Sequence, residues 1–505
     1  MAFSSLAALA VMVAALVQNG PAPPAPSAEQ PAPRELRIDA NRLVRDRAYA
    51  ERSLAEMEAF GSAHGISADN ETLLLLRALA LAGLERKVEA AASIDRRLAM
   101  GGAQPEIYAQ LWRAAGRIGD LPRMVSVVES AARNVPATRR SELHRRLEPA
   151  TVDAVTRYFL GRGEGEVHVR FIEALFALDW PGEDRLTRRD AIRFGALERR
   201  RLRGETAAAA AIARTIQAPD ILLSLLVLGR YEAIRDPGEP LDLLAAAVAY
   251  ADEAGRAALA AAPDDAEIAH GRVRFLRLVG RPAEALVAAQ RFLADPEETA
   301  LRPFGNWLVN EAVYAMLDLG QRDEGVALMA RLAAMDVGRH PELISQTINH
   351  VAVLRRAGRH TEALAHARRI DARWGPNSNM AARMWIASGL VCALADLGRA
   401  DEAAEKIDWM RGQENANAPA LSRTLLCLGD LEAAEALLLR RLRAQGDETL
   451  LEDLQAYERT APDERDDPIA RRWAELRERP AVREAIGGAG RMLRLPLAKV
   501  YWGAY

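Results

Sequence analysis

Between residues 263 and 446 the chain repeats one pattern of apolar and polar positions four times. Each copy is an apolar stretch that ends at a glycine, followed by a short polar turn and a second stretch that opens with a glutamate and a small residue. The glycines are Gly280, Gly320, Gly358 and Gly398, which are 40, 38 and 40 residues apart. A valine stands seven residues before each glycine, and a leucine or methionine stands four before it. This spacing is typical of helical-hairpin repeats.

The repeated residue types predict two antiparallel helices in each copy. Glycine adopts the left-handed conformation that commonly ends a helix. The glutamate, for example Glu284, then falls in the first turn of the next helix, where the helix dipole favours a negative charge. The small residue after it, for example Ala285, lets the two helices approach closely. One hairpin cannot bury its own apolar face, so we expect the hairpins to stack. Because no extended stretch alternates apolar and polar residues, we predict an all-α fold.

Composition changes along the chain predict five regions. They are an apolar signal peptide or membrane anchor (1–20), a proline-rich linker (21–35), a diverged helical-repeat region (36–262), the clear repeats (263–446) and a C-terminal helical cap and tail (447–505). Fainter hairpins in the diverged region are Leu79–Ile94, Arg113–Val128 and Leu202–Ile216. We expect the tail after Gly490 to fold back over the last repeat. The alternative is a docking tail that presents Tyr501, Trp502 and Tyr505.

The motif Gly280-x-x-x-Glu284-Ala285 and its three copies resemble the tetratricopeptide repeat family. The resemblance covers about 263–446 and implies a right-handed α-solenoid of stacked antiparallel helix pairs. In that family the first helices line a concave groove that receives peptides. The resemblance therefore implies a non-enzymatic scaffold that binds a peptide or protein partner.

Polar residues on the first helices are the candidate groove residues that this resemblance implies. Arginine pairs with carboxylates through two parallel hydrogen bonds, and asparagine can bond a peptide backbone. The candidates are His270, Arg274, Arg277, Asn310, Tyr314, Asn349 and Arg355. Ordinary polar residues on a solvated helix face are the alternative interpretation.

Net charge and the N-terminus bear on partners and location. The formal net charge of −3 gives no bulk electrostatic case for nucleic acid. The apolar run Leu6–Val17 is too short for a membrane span, which needs about 20 residues, and suits a signal peptide. We therefore predict a periplasmic protein, or one anchored in the inner membrane and facing the periplasm. The alternative is a cytoplasmic protein with an alanine-rich leader.

Two alternative functions come from other parts of the sequence. The stretch Arg185–Gly204 holds eight arginines and two acidic residues. A cytoplasmic regulator could use this basic 185–203 face. A solvated helix face is the simpler interpretation. An enzyme acting on a peptide or polysaccharide could have its site in the irregular region 135–200.

No motif for catalysis, a metal or a cofactor is present. The histidines at 340, 350, 360 and 366 have no metal-ligand spacing, and GRGEGEVH at Gly161 lacks the features of a phosphate loop. We predict no catalytic, metal or cofactor site. Cys392 and Cys427 lie in helical runs, which favours buried free thiols, with a disulfide as the alternative in an exported chain.

Overall fold

The computed structural model describes residues 38–63, 70–161, 164–182, 185–236, 238–444, 448–459 and 468–498. The predicted leader (1–20), the predicted linker (21–35) and the aromatic tail residues Tyr501, Trp502 and Tyr505 lie outside these residues. The chain divides into two compact units, Met1–Gly182 and Glu183–Tyr505. This division falls inside the region 36–262, for which we predicted a single set of diverged repeats.

The described part of the first unit consists of helices. They are α1 (Ala40–Arg45), α2 (Arg47–Ala63), α3 (Glu71–Gly83), α4 (Lys87–Ala99), α5 (Pro105–Arg117), α6 (Leu121–Asn134), α7 (Arg140–His144), α8 (Pro149–Gly161) and α9 (Gly165–Ala177), with a 3-10 helix at Ala137–Arg139. Asn70 caps α3 by accepting hydrogen bonds from two first-turn amides. α3 packs on α4, α5 packs on α6, and the first helices α3 and α5 contact each other.

The second unit begins with α10 (Leu186–Leu202), α11 (Thr206–Ala213), α12 (Pro219–Val227) and α13 (Pro240–Ala261), with a 3-10 helix at Gly229–Tyr231. The clear repeats follow as α14 (Ala266–Leu278), α15 (Pro282–Ala289), α16 (Pro296–Ala300), α17 (Gly305–Asp318), α18 (Arg322–Ala333), α19 (Ile344–Arg356), α20 (His360–Trp374), α21 (Met380–Asp396), α22 (Ala404–Gly412), α23 (Ala418–Leu428) and α24 (Leu431–Arg443). The unit ends with α25 (Glu448–Asp453), β1 (Ala456–Arg459), α26 (Pro468–Glu478), α27 (Pro480–Ala489) and β2 (Arg494–Ala498). With 27 α-helices and two short strands among the described residues, the all-α prediction is confirmed.

The repeated glycines lie at the turns between helices, as predicted. Gly280, Gly320, Gly358 and Gly398 have φ between 68° and 76°. After each glycine, the next residue donates its backbone N–H to the carbonyl five residues back; for example, Arg281 donates to Leu276 over 2.7 Å. This hydrogen bond is the Schellman helix ending, for which glycine is favoured because it has no Cβ. The same bond follows Gly119 and Gly204, so two of the fainter hairpins have the same turn.

The other repeated columns hold each hairpin together. The four valines seven residues before the glycines are all buried. In the second repeat, a Cβ on Gly325 would lie 3.4 Å from the carbonyl oxygen of Val313 and 3.3 Å from the Leu317 side chain, which shows the close approach of α18 to α17. Glu284 pairs with Arg281 on the solvent side of the turn. First helices contact one another along the array: α14 with α17, α17 with α19, α19 with α21, and α21 with α23.

The C-terminal segment contacts the first and the last hairpin of the clear repeats. α26 packs on α23 and α27 packs on α24, so helices cover the last hairpin. β1 pairs with β2 in parallel, and β2 also contacts α14. These strands correct the expectation that no stretch alternates: Leu495 and Leu497 are buried, whereas Arg494 and Pro496 are exposed. No helix within the described ranges is long and apolar enough to cross a membrane.

Candidate functional site on the first helices

All seven candidate groove residues lie on first helices of the repeats. α14 carries His270, Arg274 and Arg277, α17 carries Asn310 and Tyr314, and α19 carries Asn349 and Arg355. Five of them are at most 7% exposed, and the side chains of Arg355 and Arg274 are 9% and 12% exposed. The structure therefore places most of them inside the array, and their role as groove residues stays a prediction. All but His270 connect neighbouring first helices through a set of contacts that we call the polar ladder.

Arg277 is the centre of the polar ladder between α14 and α17. Its Nη1 lies 2.5 Å from Oε2 of Glu311, and its Nε lies 2.8 Å from Oδ2 of Asp318. Arg274 shares Glu311, with 3.6 Å between its Nη1 and Oε1. Burial lowers the pKa of Arg277, but the carboxylates of Asp318 and Glu311 outweigh burial and raise it. Because a buried charge is costly unless paired, Glu311 and Asp318 explain how these arginines can lie inside.

Neutral side chains continue the polar ladder. The ring of Tyr314 lies 5.2 Å from Cζ of Arg277, and burial raises the pKa of Tyr314 to about 12. The phenol is therefore neutral at physiological pH and gives the guanidinium an aromatic face. Asn349 donates from Nδ2 to Oδ1 of Asn310 over 3.0 Å, which joins α19 to α17.

Arg355 repeats the ion pair two hairpins further along. Its Nε and Nη2 lie 2.5 Å and 3.0 Å from the two carboxylate oxygens of Asp396 on α21. Nη2 also lies 3.6 Å from Sγ of Cys427 on α23. Asp396 faces a second basic side chain, with 3.2 Å between its Oδ2 and Nδ1 of His360. This carboxylate therefore neutralises the basic end of α19.

Cys392 and Cys427 form a disulfide, which corrects the expectation of free thiols. The bond joins α21 to α23, and the two Cα atoms are 5.2 Å apart. Stacking brings together residues about one repeat apart, and these cysteines are separated by 35 residues. The spacing matches no known cysteine motif, so only the contact between the two helices makes the pairing visible.

Two of the clustered histidines meet inside the third repeat. The ring centroids of His350 and His366 are 4.6 Å apart. Nδ1 of His366 accepts from Arg369, so its Nε2 carries the proton and donates to the carbonyl of Thr347 over 3.0 Å. Burial, followed by the charge of His366, lowers the pKa of His350 to about 3. In the described ranges, no group of three His, Cys, Asp or Glu side chains could hold a metal ion.

The isolated histidine of α14 lies at the beginning of the polar ladder. Burial lowers the pKa of His270 to about 4, and its ring lies 5.9 Å from that of Phe304. Phe304 has φ of 61°, an uncommon conformation for a bulky residue. After this turn the chain passes very close to Thr299. Residue 305 is a glycine because a Cβ there would overlap the carbonyl oxygen of Thr299.

The basic stretch 185–203 forms α10 and the residues at its ends, and many of its charges are neutralised. The arginines pair with carboxylates of the same unit: Arg185 with Asp265, Arg188 with Glu267, Arg189 and Arg193 with Asp190, and Arg201 with Glu198. The free basic surface that the sequence suggested is therefore much reduced.

The residues that the sequence analysis missed are the acidic members of the polar ladder. Asp318 and Asp396 stand two residues before the glycines of their repeats, and each follows its arginine partner by 41 residues. This spacing is one repeat plus one residue, so the sequence does contain a signal for these pairs. Glu311 has no such repeated counterpart. A comparison with family models finds no match, and a comparison with curated proteins finds no similar sequence.

Proposed function

We propose that this chain is a non-enzymatic scaffold that binds a peptide or protein, built as a right-handed, tetratricopeptide-like α-solenoid. The observation that carries this proposal is the register of the contacts between first helices. The pairs Arg277–Asp318, Asn310–Asn349 and Arg355–Asp396 are separated by 41, 39 and 41 residues. Contacts at a nearly constant spacing are expected when hairpins stack in one direction. Such stacking creates long surfaces that suit extended partners.

The polar ladder limits how a partner can use the candidate groove residues. Arg274 and Arg277 already share Glu311, and Arg277 also pairs with Asp318. An incoming carboxylate would have to displace these internal carboxylates and also bear the cost of opening a buried network. We therefore propose that the buried Arg277 mainly sets the register of the repeats, and that a partner binds where first-helix side chains retain exposure, as that of Arg274 does (12%).

We propose that the chain works outside the cytoplasm, in the periplasm or anchored to the inner membrane. The disulfide supports this location because disulfides persist in oxidising compartments and are rare in the cytosol. The mass of the intact protein from its native host tests the proposal. Removal of about 20–30 N-terminal residues fits a cleaved signal peptide, whereas a full-length protein with two free thiols would contradict export.

Capture of a partner by the full chain tests the scaffold itself. The immobilised protein is exposed to the exported fraction of its host, and bound proteins are identified by mass spectrometry. We compare Arg274→Glu with Arg281→Glu, which makes the same charge change at the solvent side of the same hairpin. Loss of one partner with Arg274→Glu alone, at unchanged helix content, supports binding at the first-helix face. If both variants capture the partner equally, Arg274 does not lie on the binding face. If the unchanged protein captures no specific partner, the scaffold proposal is contradicted.

Two observations bear on the alternative functions, which are an enzyme site in region 135–200 and a regulator that uses the basic 185–203 face. The described parts of 135–200 are helices and hold no folded, non-helical insert, the feature that would have favoured an enzyme site there. The pairing of the α10 arginines with carboxylates gives a basic-face regulator less free charge to use. Neither observation favours the alternatives over a scaffold.

A further inference from the structure

Arg113 on α5 has a neutral hydrogen-bond partner, unlike three arginines of the first unit that pair with carboxylates. Its Nη1 donates to the amide oxygen Oδ1 of Asn41 on α1 over 2.7 Å. Within the described ranges no carboxylate forms an ion pair with it. By contrast, carboxylates lie 3.1, 2.8 and 2.6 Å from three other arginines of this unit, in the pairs Arg97–Glu71, Arg123–Asp95 and Arg170–Glu129.

Two more arginines add positive charge around Arg113. Burial, followed by the charges of Arg45 and Arg146, lowers the pKa of Arg113, and only Glu148 opposes them. Glu106 lies 3.8 Å from Arg146, but it is shared with a further arginine at 3.5 Å. Three arginines therefore face one nearby carboxylate and part of another. Arg113 itself is only partly buried, so this excess charge is accessible to a ligand.

A neighbouring carboxamide also lacks a partner. Gln110 lies three residues before Arg113, on the same face of α5. Its Oε1 is shielded from solvent and accepts no hydrogen bond from the described residues. An unpaired shielded acceptor is costly, and an N–H group from a ligand would satisfy it. The α5 face thus lacks both an anion and a hydrogen-bond donor.

The same position in the second unit shows what is missing. Arg113 stands six residues before Gly119, and Arg274 stands six residues before Gly280. In the second unit Arg274 faces Glu311. In the first unit Arg113 faces the neutral Asn41. The two arginines stand at the same repeat position, but only Arg274 forms an ion pair with a carboxylate of its own unit.

We infer that the α5 face around Arg113, together with Arg45, Arg146 and Gln110, binds an acidic peptide segment. This inference rests on the proposed scaffold function and names the class of partner. A side-chain carboxylate pairs with the guanidinium of Arg113 through its remaining N–H donors, while Arg45 and Arg146 attract further acidic residues. A backbone N–H of the peptide donates to Gln110 once the side chain of Gln110 turns outward. A free inorganic anion supplies the first contact but not the second.

Fluorescence anisotropy on the full chain tests this site directly. The probes are a dye-labelled hexaglutamate and a hexaglutamine of the same length, at low ionic strength, with inorganic phosphate as a competitor. The variants are Arg113→Gln, Arg113→Lys and the matched control Arg117→Gln, which removes the same charge from an exposed position of the same helix. Helix content and the unfolding midpoint of each variant verify that the fold is retained.

We expect hexaglutamate to bind and hexaglutamine not to bind. Arg113→Gln should weaken binding about tenfold or more, because a charge-assisted pair is lost. The affinity of Arg113→Lys should lie between those of the unchanged protein and Arg113→Gln. The affinity of Arg117→Gln should stay within about twofold of the unchanged protein. Equal loss in Arg113→Gln and Arg117→Gln would mean that only bulk charge matters and would overturn the site. Full competition by millimolar phosphate would replace the peptide with a small oxyanion.

Failure of this inference can be told from failure of the scaffold proposal. If hexaglutamate does not bind but the full chain still captures a specific partner from its host, the Arg113 site is wrong and the scaffold proposal stands. If hexaglutamate binds at Arg113 but no partner is captured, the site stands and the proposed scaffold function fails. If neither result is obtained, both are wrong.

Discussion

Replacing Glu311 with glutamine tests the ion-pair network that keeps Arg277 inside the protein. The change removes the negative charge that Arg277 and Arg274 share and keeps the size of the side chain. A hydrogen bond to a charged group contributes about 1.5–3 kcal/mol, and removing one partner of a fully buried pair costs about 3–5 kcal/mol. Arg277 keeps Asp318 as a partner. We therefore expect the free energy of unfolding to fall by about 2–3 kcal/mol.

Glu284→Gln is the matched control because it makes the same chemical change in the neighbouring hairpin. The side chains of Arg281 and Glu284 are 35% and 55% exposed, and an exposed ion pair contributes about 0–1 kcal/mol. Urea unfolding followed by circular dichroism measures both variants under one set of conditions, and the midpoints are compared at an unchanged m-value. Equal losses, or a loss below about 1 kcal/mol for Glu311→Gln, would refute the role assigned to the network.

Three further predictions concern the turns, the disulfide and the buried histidine. Gly320→Ala should lower the free energy of unfolding by about 1–2 kcal/mol because φ at this residue is 76°. Gly271 lies in a helix with no atom within 4 Å of a new Cβ, so Gly271→Ala should raise the free energy of unfolding by about 0.5–1 kcal/mol. Urea midpoints of the two variants that move in the same direction would contradict this. Reducing the bond between Cys392 and Cys427 should cost about 3–4 kcal/mol by the loop-entropy relation and release two thiols that a thiol reagent counts; two titratable thiols before reduction would contradict the disulfide. The pKa of His350 is lowered to about 3 in the folded state, whereas its ordinary value in the unfolded chain is about 6.5. Between these two pH values the unfolded chain binds more protons, so the free energy of unfolding should fall as pH falls through this window. A His350→Phe variant whose stability shows the same slope against pH would refute this.

The turns could be predicted from the sequence because their chemistry is local. A positive φ at a helix end favours glycine, and the hydrogen bond that completes the turn spans only five residues. Gly119 and Gly204 follow the same rule although their repeats have diverged. Glu85 and Asp179 are exceptions, since they adopt φ of 60° and 54° without being glycines. A search for glycine alone therefore misses the turn between α3 and α4.

The exposure of the first helices could not be predicted in this way. A polar side chain on a helix face looks the same in sequence whether it meets water or a partner one repeat away. Asn310 and Asn349 illustrate this, because Asn349 donates a hydrogen bond to Asn310, which lies 39 residues earlier. The β-strand pair fails for a similar reason: Tyr457 and Leu495 are in register but are 38 residues apart. What the sequence does not display is the long-range pairing.

The acidic partners decide what an arginine on a first helix does. Arg277 and Arg355 stand three residues before the glycines of the first and third repeats, and each reaches an aspartate on the next first helix. A buried arginine paired in this way favours the neighbour that supplies the matching carboxylate, and so helps to fix the order of hairpins. Arg113 lacks such a neighbour, and its charge remains available to another molecule. The same residue type in the same kind of helix thus sets the register in the second unit and, by our inference, recognises an acidic partner in the first.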